Sequence, residues 1–182
     1  LTVYAIQKRD LVFTLGQFNA PSGAGLQEGG GFFMVSRDGR ETRTLSLTVR
    51  ELRKTGQYVY RAYQFVRSIP GNDEEIIAEG NFRSSDSSDL YRLNVRTGRA
   101  TLITDTRPPR TSFSGEADAP SAWVLDRNLV PRVAVSSVKD TSITVVHFRK
   151  AADAPWEEIA RYDAVKGPAF VPMYFERDNK SL

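Results

Sequence analysis

The 182-residue sequence contains no cysteine. This absence excludes disulfide bonds and thiolate metal sites, and it is compatible with either the periplasm or the cytoplasm. No run of about 18 apolar residues occurs, so we expect no membrane span. No positively charged segment followed by an apolar one opens the chain, which begins at Leu1 rather than Met, so an upstream leader stays open.

Histidine is almost absent too, since His147 is the only one. The sequence also lacks a Gly-x-Ser-x-Gly segment, the strained turn that exposes a nucleophilic serine. His147 lies between Val146 and Phe148 in an alternating pattern that is typical of a strand, so we interpret it as a structural or surface residue. We therefore expect no catalytic residue in this chain.

Four short motifs suggest chemistry, but their contexts favour structural roles. Residues 136–139 and 54–56 match the Ser-x-x-Lys and Lys-Thr-Gly of penicillin-recognising enzymes, but in reversed order and without a helix that begins at the serine. Residues 29–31 are three glycines without a following Lys-Ser or Lys-Thr, which predicts a turn rather than a phosphate loop. Residues 86–89 offer oxygens without a spaced ligand series, which favours a hairpin turn over calcium. We expect no cofactor and no metal.

The charge balance is slightly basic, with a formal net charge of +3 and an isoelectric point near 9.3. The densest basic stretch runs from Arg37 to Lys54, where the cations alternate with strand positions and are diluted by Glu41 and Glu51. This arrangement is typical of the solvated face of an outer strand rather than a footprint for polyanions. We expect no nucleic-acid partner.

The sequence does contain an internal repeat of an alternating strand, a polar turn and a second strand, which predicts β-hairpins. Gly39 and Gly98 are 59 positions apart, and Gly98 and Asp153 are 55 apart. Periods of tens of residues indicate stacked units that cannot bury their faces alone, and a four-stranded unit predicts a β-propeller blade. The three copies cover residues 32–45, 90–103 and 143–159.

We therefore predict an all-β fold: one partial β-propeller segment over residues 1–182, with about three four-stranded antiparallel blades and the start of another. The second blade is predicted to begin with a strand at residues 58–65. A segment at residues 49–55 could form a short helix, but the surrounding β pattern argues against it. The last strand, residues 170–175, is expected to open an interrupted blade. The predicted blades span approximately 1–48, 56–105, 120–164 and, in part, 168–182.

Five segments carry a resemblance to a known family: residues 4–6 with 11–13, 35–39, 89–99, 122–127 and 131–135. Their order resembles that of the N-terminal β-propeller of bacterial serine peptidases of the prolyl oligopeptidase family. The likeness covers nearly the whole chain as a pattern of blades, without one diagnostic motif.

This resemblance implies a division of labour. The Ser-His-Asp triad of such peptidases belongs to an α/β-hydrolase domain C-terminal to the propeller, which is not present in this chain. The implied role of the chain is a lid that admits short peptides, with that hydrolase domain and the peptide substrate as partners. Dipeptide-releasing members also capture the peptide amino terminus with an Asp-Trp-x-Tyr-Glu-Glu segment. Asp73, Glu74 and Glu75 match only its end, so we transfer no such role to them.

Two other function classes stay open. One is a stand-alone propeller that serves as a protein-interaction module. The other is a propeller enzyme with clustered carboxylates, for which Asp126 and Glu176 are the acidic residues near predicted blade starts. The expected blade ends also predict self-association through apolar edges. The residues proposed for these edges are Val3, Tyr4 and Phe13 at one end, and Phe170, Met173, Tyr174 and Phe175 at the other.

Overall fold

The computed structural model describes residues 2–6, 9–15, 29–85, 88–109, 119–138, 140–170, 172–179 and 181. These residues form twelve β-strands and one α-helix. The chain divides into two compact units, unit 1 from Leu1 to Leu102 and unit 2 from Ile103 to Leu182. The structure contains three four-stranded antiparallel sheets, so the predicted all-β class is confirmed.

Sheet 1 is a meander in which each strand pairs with the next along the chain. Phe13 lies opposite Phe33 and their rings stack 5.4 Å apart, on the face opposite Val12 and Phe32. The turn between the third and fourth strands needs Gly39, whose φ of +73° is rarely adopted by other residues. The strands are β1 (Thr2–Ile6), β2 (Asp10–Leu15), β3 (Gly30–Ser36) and β4 (Thr42–Thr48).

A short helix follows directly, α1 (Val49–Lys54), so the helix considered for residues 49–55 is present, although the surrounding β pattern argued against it. Thr48 accepts a hydrogen bond from the Glu51 backbone N–H, and the Glu51 carboxylate accepts one from the Thr48 backbone N–H. This reciprocal capping satisfies donors that a helix start leaves unpaired. Val49 and Leu52 are buried, which anchors the helix to the unit.

Sheet 2 repeats the meander with strands β5 (Tyr63–Ser68), β6 (Glu75–Gly80), β7 (Asp89–Asn94) and β8 (Ala100–Leu102). The predicted start of its first strand at Tyr58 is wrong, because residues 58–62 are irregular. The Asn81 side chain accepts a hydrogen bond from the Ala62 N–H and donates one to the Tyr60 carbonyl. A side chain thus occupies backbone groups that would pair in a strand.

Sheets 1 and 2 share one hydrophobic core within unit 1. Val12, Phe32 and Met34 from sheet 1 belong to the same buried cluster as Ile76 and Leu93 from sheet 2. Alternating strands place these side chains on one face of each sheet. The two sheets are therefore held together mainly by apolar burial.

An ion-pair cluster joins the hairpin turns at one end of unit 1. Arg96 follows β7 and donates two hydrogen bonds of 2.9 Å to the buried Asp10 carboxylate at the start of β2. It donates a third, of 2.8 Å, to Glu41 in the β3–β4 turn. A two-pronged guanidinium–carboxylate contact fixes direction as well as distance, so Arg96 orients sheet 2 on sheet 1.

Sheet 3, in unit 2, contains β9 (Pro120–Leu125), β10 (Pro131–Ser137), β11 (Ile143–Phe148) and β12 (Glu157–Asp163), again in chain order. Its hydrophobic core consists of Val124, Val133 and Val146 with Phe175, which lies outside the sheet. The fourth component of this core therefore comes from the segment after the last strand.

The described residues of that segment, 172–179 and 181, are called the strap. The predicted strand at residues 170–175 is not formed in its described residues, since prolines at 168 and 172 lack the N–H that a ladder needs. Phe175 is 3% exposed. The Arg132 guanidinium lies 5.2 Å from the Phe175 ring and 5.3 Å from the Phe148 ring. The strap thus packs on sheet 3 through one aromatic side chain and a cation–π stack.

None of the described helices is long and apolar enough to cross a membrane.

Candidate functional site

A concave surface of unit 1 lies beside α1. We call it the α1 groove; it has a volume of about 280 Å³. Pockets for drug-sized ligands range from roughly 300 to 1,000 Å³, so the groove suits one or two protein side chains better than a large cofactor. It is lined by Val49, Leu52, Arg53, Gln57, Tyr58 and Tyr60.

The C-terminal cap of α1 determines the direction of the chain beside this groove. The Gly56 N–H donates to the Arg53 carbonyl and the Gln57 N–H donates to the Leu52 carbonyl. Gly56 has a φ of +74°, which makes this a Schellman motif. The motif reverses the chain, so the segment that follows returns beside the helix and forms the second wall of the groove.

Tyr60 is the fixed centre of that wall. Its hydroxyl accepts a hydrogen bond of 2.8 Å from the Gly31 N–H on β3. Gly31 cannot be replaced easily, because its φ is +75° and an added Cβ would lie 2.7 Å from the Phe33 ring. On its other side Tyr60 borders a cavity of about 240 Å³, which is also lined by Tyr4, Leu15 and Tyr63.

The same wall is also bonded to Asn81, the residue that follows β6 of sheet 2. Besides the two Asn81 side-chain bonds, Arg61 donates from one nitrogen to the carbonyls of Asn81, at 2.9 Å, and of Phe82, at 2.6 Å. Residues 60–62, which follow Tyr58, are therefore held by bonds to both sheets, and the Tyr58 side chain is 92% exposed. Tyrosine is enriched among the residues that contribute most to binding at protein interfaces.

The charge beside the groove is basic. Arg50, Arg53 and Lys54 are exposed on α1. Glu51 is the only acidic residue of the helix, and hydrogen bonds from the Thr48 backbone and hydroxyl lower its pKa. Within the described part of the chain neither Arg50 nor Lys54 forms a salt bridge. The groove thus combines apolar and aromatic walls with Arg53, and two further cations are exposed on the same helix outside the groove lining.

His147 lies in β11, so its predicted place in a strand is confirmed. It is 2% exposed, and burial lowers its pKa. Its Nδ1 atom has no hydrogen-bond partner among the described residues. A general base needs a nucleophile within hydrogen-bond reach, and none meets Nδ1 here.

Asp126 and Glu176, the acidic residues considered for a propeller enzyme, take part in hydrogen bonds within unit 2. The buried Asp126 carboxylate accepts bonds from the N–H groups of Asn128 and Val130 and from Arg132. The Glu176 carbonyl accepts a bond from Arg127. These contacts organise the β9–β10 turn and the strap, and Glu176 takes part in them through its backbone carbonyl.

Other sequence candidates are dispersed. Glu75 pairs with Arg92 at 2.7 Å, and Glu74 lies 3.5 Å from Arg9. Asp89 is buried and paired with Arg83. In the described residues no three His, Cys, Asp or Glu side chains form a group that could hold a metal ion. Positions 86 and 87 of the motif at residues 86–89, and position 139 of the motif at residues 136–139, lie outside the described residues.

Sequence reasoning missed the α1 groove because it assigned Tyr58 and Tyr60 to a strand. The signals for it were present locally. Thr48 followed three positions later by Glu51 is a capping box, and Gly56 just past the last cations is a helix stop.

No protein family, curated protein or solved structure matches the chain.

Proposed function

We propose that the three sheets are blades of a β-propeller, and that the chain is the substrate-gating portion of a prolyl oligopeptidase-like serine peptidase that cleaves short peptides. One observation carries the proposal. Three times in succession, four strands form an antiparallel meander whose order in the sheet is their order in the chain. Radial repetition of such four-stranded units is the construction of a propeller.

The packing within unit 1 supports the blade assignment. Propeller blades stack face to face, and sheets 1 and 2 bury a common cluster that includes Phe32 and Ile76. Tyr4 on β1 stacks on Phe65 on β5 with ring centroids 4.4 Å apart. In a propeller, the first strands of adjacent blades lie next to each other around the central axis, and β1 and β5 are in contact in this way.

The proposed role is steric. A ring with a narrow axial passage admits short extended peptides, excludes folded proteins and limits the access of water to an acyl-enzyme. The hydrolase domain would supply nucleophile, base and oxyanion donors. This chain would supply walls, and its His147 and Asp126 would have structural roles.

The test is the complete reading frame that encodes this chain. Expressed in full, it should hydrolyse peptide substrates with rates that fall steeply as substrate length increases, and a fluorophosphonate probe should label one serine outside residues 1–182. A reading frame without a Gly-x-Ser-x-Gly elbow, or a full-length protein that cleaves folded and short substrates equally well, would refute the proposal.

The isolated chain provides a second check. We expect no turnover of chromogenic dipeptide or acyl-amino-acid esters and no labelled serine, because the chain has no nucleophile elbow. Reproducible labelling at Ser136, or at the serines of positions 22 and 114, would contradict this expectation.

A second candidate function is a stand-alone protein-interaction module. The exposed Tyr58 beside a preformed groove is the observation that favours it. A full-length protein that binds a partner but carries no hydrolase domain would decide for this alternative.

A further inference from the structure

We propose that the α1 groove is a docking site for an acidic segment of another protein, with an aromatic or large aliphatic side chain of that segment as its anchor. This inference does not depend on whether the chain gates a hydrolase. It rests on three features of the groove: its size, its preformed walls and the sign of its charge.

The size fits one anchor side chain. The groove measures about 280 Å³ and its floor is formed by Val49 and Leu52, both buried. Tyr58 and Tyr60 form one wall. Aromatic side chains contribute most at the centre of protein interfaces, where a well-packed anchor enters a pocket.

The walls are formed before any partner arrives. The capping box fixes the start of α1, the Schellman motif fixes its end, and the Gly31–Tyr60 hydrogen bond fixes the opposite wall. A preformed site loses little conformational entropy on binding, so a small contact area can be effective. The Tyr58 side chain is left 92% exposed beside these walls.

The charge selects the partner. Arg53 lines the groove, and Arg50 and Lys54 are exposed on the same helix outside the groove lining, without salt bridges in the described part of the chain. The single acidic residue of the helix is held by Thr48. Complementary charge increases the association rate and excludes basic partners. An acidic segment is therefore the occupant that the cations of α1 favour.

The experiment uses the intact chain and the fluorescein-labelled peptide Gly-Asp-Glu-Phe-Asp-Glu-Leu-Gly in fluorescence anisotropy. We expect saturable binding that weakens with added NaCl. A peptide with Lys at every acidic position and a peptide with Ala for Phe and Leu should each bind at least about tenfold more weakly.

Two variants locate the site. Tyr58→Ala should weaken binding at least about tenfold, whereas Tyr174→Ala, which removes an exposed tyrosine of the strap, should leave it unchanged. Arg50→Glu with Lys54→Glu should weaken binding and flatten its salt dependence. Lys150→Glu with Lys166→Glu makes the same change in net charge on unit 2 and is the matched control. Circular dichroism checks that each variant is folded.

Several results would overturn the proposal. They are a failure of the acidic peptide to bind at millimolar concentration, equal binding of the lysine peptide, and equal loss in the test and control variants. Stronger binding of a labelled oligouridine would assign the groove to nucleic acid instead. If Tyr58→Ala removes self-association in sedimentation velocity, the occupant is a second copy of the chain.

Discussion

Units 1 and 2 bury their sheets by different means. In unit 1 two sheets cover each other, and the shared cluster joins side chains such as Val12 and Leu93 from both. In unit 2 the hydrophobic cluster of a single sheet is covered by Phe175 of the strap. A four-stranded sheet therefore needs an apolar cover, and the cover need not be another sheet.

The surroundings of the buried arginines also differ between the two units. In unit 1 Arg96 pairs with a buried carboxylate between two sheets. In unit 2 the buried Arg132 also pairs with a buried carboxylate, that of Asp126, but Arg132 and Arg149 both lie against aromatic rings as well, and Arg149 lies 4.6 Å from the Trp156 ring. Their N–H groups also donate to backbone carbonyls, those of Arg149 and Pro131. Where a second sheet is not part of the core, planar cations supply both packing and hydrogen bonds.

The largest expected effect removes the shared core of unit 1. Phe32→Ala should lower the free energy of unfolding by about 3–5 kcal/mol, because Phe32 is fully buried and its loss leaves a cavity. Phe33→Ala is the matched control on the half-buried face and should cost about 1 kcal/mol.

Urea titration measures these changes with two signals. Both tryptophans, Trp123 and Trp156, belong to unit 2, so their fluorescence reports that unit. Far-ultraviolet circular dichroism reports strands of both. Phe32→Ala should shift the dichroism midpoint more than the tryptophan midpoint. Equal shifts would mean that the units unfold as one, and the contrast between them would then be only geometric.

The strap should matter less than the shared core. Phe175→Ala should lower stability by about 2–3 kcal/mol, less than a sheet-bound phenylalanine, because an irregular segment relaxes into the space. Tyr174→Ala removes its exposed neighbour and should change stability by less than about 0.5 kcal/mol. Tryptophan fluorescence in urea is the measurement. A loss for Tyr174→Ala equal to that for Phe175→Ala would show that the strap does not act through Phe175.

Third in size is the ion pair that orients the two sheets of unit 1. Arg96→Gln should lower the urea midpoint, because Asp10 loses its partner while buried, although water can reach it once the arginine is shortened. Adding Asp10→Asn should restore part of the loss.

Arg92→Gln is the control for this pair. It breaks the exposed Arg92–Glu75 contact and should cost about 0.5 kcal/mol or less. If Arg92→Gln and Arg96→Gln prove equal in dichroism-detected urea unfolding, the buried pair does not orient the sheets.

A weaker effect depends on pH and should be confined to unit 2. Burial lowers the pKa of His147 in the folded protein, with Arg161 acting in the same direction and Glu158 against it. The unfolded chain then binds more protons below about pH 6.5, so stability should be full above that pH and fall as the pH decreases from it. His147→Asn should flatten this slope between about pH 5 and pH 7, a window above the carboxylate titrations.

Tryptophan-detected midpoints at each pH measure the slope. An unchanged slope in the His147→Asn variant would assign the pH dependence to other groups.

The sequence predicted the hairpins well because their signals are local. Alternating apolar residues and turn glycines such as Gly39 and Gly98 determine strand and turn without reference to distant parts of the chain. The all-β class and the three four-stranded sheets follow from these signals. A strand was predicted at residues 170–175 because the segment is apolar, but Pro168 and Pro172 disfavour one there.

The α1 groove was not predicted, for a different reason. Its wall depends on Asn81 and Gly31, which are 21 and 29 positions from the tyrosine that they hold. A pattern over neighbouring residues cannot show such contacts, and an aromatic segment with partners of this kind looks like the start of a strand. The capping box at Thr48 was readable, but the repeat suggested a continuous β region.

The smallest expected effect is association of the intact chain through its exposed apolar residues. The edges proposed from the sequence need correction, since Phe175 is buried and Tyr4 stacks on Phe65. Met173 and Tyr174 remain exposed on the strap. A few hundred Å² of apolar contact at about 25 cal/mol per Å² would offset only part of the entropy lost on binding, so we expect a weak dimer.

Sedimentation velocity over a concentration series measures this association. The average sedimentation coefficient should rise with concentration for the unmodified chain and stay flat for Met173→Asp with Tyr174→Asp. Val165→Asp, at another exposed apolar residue of unit 2, is the matched control and should behave as the unmodified chain. Because a charge on the strap adds repulsion where apolar contact is lost, the double variant should act even if each contact is small. A stable monomer at high concentration would show that the apolar side chains of the strap do not form a contact between copies.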